Sequence, residues 1–284
     1  MTESPLPNYR ITYPDIPNCV ILAAGISTRL RPLTDTIPKC LLNVGGKILL
    51  ERTIENVLAS GITEIAIVVG YRAEKIREFV KQWFPQQRIR FILNPNYART
   101  NNAYSLFLAR RFLEDKDGKM NRRLLLLDSD IFFTEKLLPL FLGQSCQEFL
   151  ESGQSKALQC HIAVRVSGEH NEEEIRVKVN GHGNIVLIGK NTPLAETYGE
   201  SIGIEIFSAK TSSRLFTHLE QRIRRGEGRN EFYEITFQKM IEEGITFKTV
   251  DISLYPAMEI DTQEDLQRAE RLSLDLLSPN LDVG

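Results

Sequence analysis

Five side chains in this sequence have the types and settings for phosphate chemistry. Arg29 and Lys39 lie on a segment that follows the apolar run Cys19–Leu22 and opens with Ala23-Ala24-Gly25. Small residues let a backbone approach a bulky anion closely, and guanidinium and ammonium groups hold phosphate oxygens by charge-assisted hydrogen bonds. Asp130 and Asp261 each follow an apolar run, in LLLLDSD and MEID. Hard divalent cations take one or two such carboxylates together with phosphate oxygens and water. Lys190 closes the run Ile185–Ile188 within IGK. A basic loop after the first strand of an α/β pattern suggests a site for a nucleoside triphosphate. Each feature also has a plainer reading: a surface turn with incidental arginines, an Asp that caps or turns the chain, a lysine that protects a sheet edge. Arg31 reads equally well as a solvated surface residue. The segment is neither a GxxxxGK[ST] phosphate loop nor a GxGxxG fingerprint. GxSxG and HExxH are absent, and His161, His170, His182 and His218 have no ligand spacing.

The elements that must position these groups alternate. Strand-like runs at Cys19–Leu22, Ile65–Val69, Ile89–Leu93 and Arg123–Leu127 are separated by helical patterns at Leu49–Ser60, Ala73–Trp83 and Asn102–Leu113. Continuous apolar strands between amphipathic helices predict a mostly parallel sheet covered on both faces. Ligands bind beyond the carboxyl ends of such strands, where both the Gly25 loop and Asp128-Ser129-Asp130 fall. The second half reads as a mixed sheet, with strands at Ala157–Val166, Arg176–Val179, Ile185–Ile188 and Ser201–Phe207. Helices follow at Ser212–Arg225 and Glu231–Glu243, then a strand at Ile245–Ile252 and a closing helix at Thr262–Leu272 with Asp261 or Thr262 as its N-cap. The expected organisation is an extended, proline-bearing lead-in over 1–17, one domain over 18–272 and a tail over 273–284. Within the domain, a nucleotide-binding half spans about 18–135 and an acceptor-binding half about 155–260.

Composition sets outer limits. The chain has 284 residues, 42% hydrophobic and 25% charged, with a formal net charge of -2. That balance gives no reason to expect nucleic-acid or membrane-surface binding. No apolar run approaches a bilayer span, and the first residues lack the pattern of a secretory signal. Cys19, Cys40, Cys146 and Cys160 show no CxxC spacing, so neither a zinc ribbon nor a redox pair is expected. A reducing cytoplasmic setting without disulfides is the expectation.

The stretch from Val20 to Val44, VILAAGISTRLRPLTDTIPKCLLNV, follows LAAGxxxRLxPLTxxxPKxLLxVxGK. It resembles the signature of the nucleotidyltransferases that activate sugar phosphates and phospho-alcohols. The resemblance continues through Gly70-Tyr71, Asn101-Asn102, Asp130, Ile188-Gly189-Lys190 and Glu259-Ile260-Asp261, spanning about Asn18 to Glu270. Sugar-1-phosphate members usually carry an LGTA-type turn where this chain reads NNxxSL, Asn101 to Leu106. That version is similar to the CTP:phosphocholine cytidylyltransferase branch and its relatives acting on phosphonates and other phospho-amino-alcohols.

The resemblance implies a Rossmann-like, nucleotide-diphospho-sugar transferase (GT-A-like) fold and transfer of CMP from CTP to a small phosphorylated acceptor. A sugar-1-phosphate nucleotidyltransferase using UTP, dTTP or GTP is the alternative, and a non-catalytic regulatory relative is a third reading. It implies Mg²⁺ held by Asp130 and Asp261, with Asp128 as their support or as a ligand in place of Asp130. It gives Arg29 to the β- and γ-phosphates, Lys39 to the α- or β-phosphate, and Lys190 to the acceptor phosphate and α-phosphate. The nucleotide site would draw on Leu22, Ala23, Ala24, Gly25, Ser27, Thr28, Asn101, Asn102 and Ser105. Asn side chains donate and accept, which suits the mixed edge of a pyrimidine, although Thr100 or Asn101 can instead cap the helix. A cationic acceptor needs an acidic or aromatic wall, for which Tyr198, Glu200, Glu231, Tyr233 and Glu234 are candidates. Phosphocholine, 2-aminoethylphosphonate, inositol phosphate and sugar phosphates all stay open as acceptors. The chain departs from the common GxGTR or GxGSR loop: Ile26-Ser27 fills the second glycine slot, leaving the loop path open.

Overall fold

Asn18–Ala23 is buried at all six positions and forms β1, a central strand of the sheet. The computed structural model describes residues 16–151, 158–166 and 172–277; the expected lead-in up to residue 15 and the tail beyond 277 lie outside them. After β1 come a small antiparallel pair, β2 (Asn43–Val44) and β3 (Lys47–Ile48), then α1 (Leu49–Ala59), β4 (Ile65–Val69), α2 (Ala73–Trp83) and β5 (Ile89–Leu93). Next are α3 (Asn102–Leu108), α4 (Arg110–Leu113), β6 (Leu124–Asp128), β7 (Ile131–Phe133) and α5 (Leu137–Glu151). The second half runs β8 (Gln159–Arg165), β9 (Arg176–Val179), β10 (Ile185–Gly189), β11 (Gly199–Phe207), α6 (Ala209–Arg224), α7 (Tyr233–Glu242), β12 (Thr246–Asp251), β13 (Ala257–Glu259) and α8 (Gln263–Leu277).

Four strands, β6-β1-β4-β5, are parallel, as the alternating pattern predicts. Successive side chains on a strand point to opposite faces, so each strand feeds two cores. Ile21, Ile67 and Leu125 pack with Ile54, Val57 and Ile76 from α1 and α2. Val20, Val68 and Leu126 pack with Leu106, Phe112, Leu215 and Phe237 from the helices of the other face. This two-sided burial is why the strands read as unbroken apolar runs. Antiparallel β11 extends the sheet past β6. It pairs with β9 at Gly199 and Glu200, then with β6 from Ile204 to Phe207. Gly203 sits at the change, with φ +71° and its Cα against the Asp128 carboxylate.

The structure differs from the sequence reading in three places. The helix expected over Asn102–Leu113 breaks at Ala109, where hydrogen bonds from Ala109 to Leu106 and from Phe112 to Ala109 tighten the turn and leave Phe112 and Leu113 buried. Helix α5 had no helical signature, because its first turns are apolar on most sides and Leu137, Leu138, Phe141 and Leu142 are all buried. Strands β7 and β13 pair antiparallel, Ile131 opposite Glu259, and are too short to show a period of two. This small two-stranded sheet anchors a third core, in which Phe132, Met258 and Ile260 meet Leu30, Leu42, Val44, Leu49 and Ala269.

At the end of β4 the chain passes under the β1 loop so closely that a Cβ on Gly70 would lie 2.7 Å from the Ala24 carbonyl oxygen and 2.6 Å from Tyr97 Cβ. Backbone cannot yield there as a flexible side-chain tip can. Gly70→Ala is therefore expected to lower unfolding free energy by about 2 kcal/mol, measured by denaturant titration against the parent.

Candidate active site

The carboxyl end of β1 turns into Ala23-Ala24-Gly25, and neighbouring elements hold that turn open. Tyr71 donates its backbone N–H to the Ala24 carbonyl (3.1 Å) and its hydroxyl to the carbonyls of Thr34 (2.9 Å) and Asp35 (2.8 Å). Thr34 donates its hydroxyl to the Ser27 carbonyl at 2.8 Å. Ser27 itself has φ 55°, the left-handed region that favours glycine. The slot where relatives carry a second glycine thus keeps a glycine-like backbone, with Ser27 bearing its strain.

Lys39 follows Pro38 on a short helical turn and is 7% exposed. Its ammonium lies 2.6 Å from Asp130 Oδ2 and 2.6 Å from Asp261 Oδ1, while Arg29 Nη2 lies 2.7 Å from Asp261 Oδ2. The β7–β13 pairing makes this meeting possible, together with the Ile260 N–H bonded to the Asp130 carbonyl at 3.0 Å. Thr262 caps α8: its hydroxyl accepts from the Asp265 N–H (3.1 Å), and its own N–H donates to the Asp265 carboxylate (2.9 Å). That reciprocal cap leaves the Asp261 side chain for the cleft. Burial pushes the Lys39 ammonium toward neutrality, but Asp130 and then Asp261 outweigh it and hold its pKa above the ordinary lysine range. Burial likewise raises the Asp261 carboxyl, and Lys39 and then Arg29 outweigh that and keep it below the usual carboxylate range.

Asn94, Asn101, Asn102 and Ser105 line the same cleft, about 370 Å³ in volume, as Leu22 to Gly25, Ser27, Thr28, Arg29 and Lys39. Asn101 is the N-cap of α3, its side chain accepting from the Asn102 N–H at 2.8 Å. Asn102 Oδ1 accepts from the Tyr233 N–H at 2.9 Å, docking the start of α7. Fully buried Asn94 donates to Ser105 Oγ at 3.0 Å. On the opposite wall Lys190 meets Glu173 at 2.9 Å, and its ammonium sits 5.5 Å from the Phe232 ring centroid. The Lys190 backbone carbonyl accepts from buried Arg176.

A family profile described as nucleotidyl transferase matches residues 18–174. The chain belongs to this family. Choline-phosphate cytidylyltransferase of Streptococcus pneumoniae is 43% identical over 94 residues, 33% of this chain and 39% of that protein. 2-Aminoethylphosphonate cytidylyltransferase of Lancefieldella rimae is 25% identical over 84% of both chains. Among solved structures, CTP:phosphocholine cytidylyltransferase of S. pneumoniae superposes with a TM-score of 0.66 at 22% identity, covering 90% of this chain and 98% of that one. The architecture is therefore the nucleotidyltransferase fold, as the sequence predicts.

Within that family fold, the structure gathers all the expected nucleotide-loop residues, both expected metal ligands and Lys190 around one cleft. Four expected acceptor residues are not on its wall, and each is occupied elsewhere. Glu231 accepts two hydrogen bonds from Arg222, at 2.9 and 2.7 Å. Glu200 is ion-paired with Arg165. Tyr198 packs against the second core. Fully buried Tyr233 donates its hydroxyl to Asp128 Oδ2 at 2.9 Å, so Asp128 supports the cleft floor while Asp130 meets Lys39. Arg31 pairs with Asp35 at 3.2 Å on the surface. Sequence reasoning assigned no role to Glu173, Phe232 or Asn94, which do line the cleft; Glu173 is hidden in an acidic run and Asn94 in a turn-like Asn-Pro-Asn.

Carboxyls crowd the floor beyond Lys39. Burial raises the pKa of Asp128, followed by the charges of Asp130 and Glu234. Fully buried Glu205 is raised in the same way by burial and then Asp128. Glu234, 6% exposed, is pushed by burial from an ordinary 4.5 to about 7. A folded-state pKa above the unfolded one means that deprotonation costs stability, with the cost absent below about pH 4.5, growing to about pH 7 and full above it. Glu234→Gln removes that cost. Its stability relative to the parent is expected to rise by about 3 kcal/mol between pH 4.5 and pH 8, read as the pH dependence of the difference in unfolding free energy.

Proposed function

We propose that this protein transfers CMP from CTP to a small phosphorylated alcohol or phosphonate, releasing pyrophosphate. The observation that carries the reading is the Lys39–Asp130–Asp261 constellation beside Arg29, at the mouth of the Ala23-Ala24-Gly25 loop and in one cleft with Asn101 and Asn102. The cytidylyltransferase relatives of similar length support the choice of base.

No protein nucleophile is needed. An oxygen of the acceptor phosphate attacks the α-phosphorus of CTP, the bond from that phosphorus to the oxygen bridging to the β-phosphorus breaks, and that oxygen leaves on pyrophosphate with its electron pair. Such transfer depends on positioning and charge neutralisation. The Ala-Ala-Gly backbone and Ser27 give the triphosphate close approach. Arg29 faces the leaving pyrophosphate, and Lys39 the α- or β-phosphate. Lys190, steadied by Arg176 through its carbonyl, receives the acceptor phosphate and offsets its repulsion from the α-phosphate. Asn102, pinned to Tyr233, and Asn101 present amide groups to the base.

Asp130 and Asp261 fit a divalent cation such as Mg²⁺. One ammonium already touches a carboxylate oxygen of each at 2.6 Å, so a single cation can reach both, and the donors are hard oxygens. Among the described residues no cluster of three or more His, Cys, Asp or Glu is placed to hold a metal alone, which suits an ion completed by phosphate oxygens and water. Bound there, Mg²⁺ would neutralise charge on the phosphates.

Pyrophosphate release is expected with CTP and a phospho-amino-alcohol or phosphonate acceptor, to be lost with a chelator and restored by Mg²⁺. Turnover confined to GTP, UTP or dTTP with a hexose 1-phosphate would overturn the assignment. Asp130→Asn and Asp261→Asn are each expected to lower kcat/KM by about 10²–10³-fold, the scale of losing a charge-positioning group, in the same assay with circular dichroism confirming the fold.

A further inference from the structure

One carboxyl on the cleft wall has no described partner for one of its oxygens. Glu234 lies on the first turn of α7, lines the cleft with Phe232 and Lys190, and is 94% shielded; its Oε2 accepts no hydrogen bond. A buried, unpaired carboxylate is costly, and a folded chain retains one on a ligand wall at a cost that a cationic ligand can offset. The Lys190 ammonium favours its ionised form. The acceptor wall therefore carries a cation, Lys190, and an anion, Glu234, within electrostatic reach of each other. A molecule with a phosphate at one end and a cation at the other matches that order.

The kind of cation follows from what else lines the cleft. A trimethylammonium has no N–H and is held by several aromatic faces around it. Among the described residues the cleft presents two aromatic side chains, Tyr97 and Phe232. Phe232 is engaged by the Lys190 ammonium, and Tyr97 packs beside Tyr71 with centroids 6.3 Å apart. Tyr198 and Tyr233, which would have completed an aromatic wall, are turned to other work. A carboxyl with unused acceptor capacity instead suits a group with N–H donors, which adds charge-assisted hydrogen bonds to the charge attraction. We propose that Glu234 is the specificity residue of the acceptor subsite and takes a primary ammonium in preference to a trimethylammonium. The inference rests on the CMP-transfer reading above and names the acceptor class within it: phosphorylated primary amino-alcohols and primary aminophosphonates.

The test measures pyrophosphate release by the full chain with CTP and Mg²⁺ near neutral pH. The acceptors are phosphoethanolamine, 2-aminoethylphosphonate, phosphocholine, inositol 1-phosphate and the uncharged analogue 2-hydroxyethyl phosphate. At least one primary amine is expected to exceed phosphocholine and 2-hydroxyethyl phosphate in kcat/KM by about tenfold or more. Glu234→Gln is expected to cut the ratio of amine to uncharged acceptor at least tenfold, a change in selectivity that a merely structural role would not produce. Phosphocholine or inositol 1-phosphate as the best acceptor overturns the inference while leaving CMP transfer standing. Equal losses on every acceptor in Glu234→Gln also overturn it. No turnover of CTP with any acceptor, alongside turnover of another nucleotide with a hexose phosphate, removes the CMP-transfer reading and this inference with it.

Discussion

A single ammonium between two carboxylates organises this molecule. Lys39 joins Asp130, at the end of the parallel sheet, to Asp261, at the entrance to the last helix. The contact closes the chain from its first loop to its final element. Nothing local brings these groups together; the long-range β7–β13 pairing and the third core do. Phe132, Met258 and Ile260 each bury most or all of their apolar surface there, and a buried side chain of that size stabilises by about 1.5–3 kcal/mol. The hydrophobic effect thus holds two like charges at a separation they would not adopt alone, and Lys39 removes the repulsion. An arrangement so balanced accepts exchange. Phosphates drawing Lys39 and Arg29 toward themselves would leave two carboxylates ready for a different cation, with little change in net local charge.

The floor beyond Lys39 is out of balance in the other direction. Burial disfavours the ionised forms of Asp128, Glu205, Glu234 and Glu259; neighbouring carboxylates, Asp130 among them, add to this at Asp128, Glu205 and Glu259, while Lys190 opposes it at Glu234. Structural needs account for part of this set. Asp128 receives the Tyr233 hydroxyl and fills the space that Gly203 leaves by lacking a Cβ. Packing does not explain retaining several poorly compensated carboxyls in one place, since apolar residues of similar volume would be more stable. Departures of this kind concentrate where function is built.

Much of this was legible in the sequence, for definable reasons. The parallel strands declared themselves because burial on both faces leaves no polar alternation. The loop from Ala23 to Lys39 was legible through its resemblance to a family signature, since its residue types alone fit a surface turn equally well. What stayed hidden depends on tertiary context. Strands of three residues such as Ile131–Phe133 have no measurable period, and the apolar start of α5 reads equally as strand or helix. The wall around Glu234 was the least legible part. The NEFYEITF segment offers three plausible polar groups, and only packing decides among them: Arg222 claims Glu231, Asp128 claims the Tyr233 hydroxyl, and Glu234 is the carboxyl left for the cleft. Sequence types a residue; its neighbours decide whether its chemistry is already spent.

That distinction also separates the two ends of the cleft. At the Lys39 end every charged group in the Arg29–Asp261–Lys39–Asp130 chain is already paired. Ligand binding there must exchange one set of ion pairs for another, so the net gain depends on geometry, and the loop is correspondingly fixed by Tyr71 and Thr34. At the Lys190 end Glu234 keeps an oxygen with nothing bonded to it. A ligand cation there displaces no existing partner, and its binding lowers the carboxyl's pKa at the same time, since the two effects are one linkage. The Lys39 end is thus suited to holding an anion, and the Glu234 end to choosing among ligands, because selectivity is greatest where a wrong ligand leaves a buried charge uncompensated.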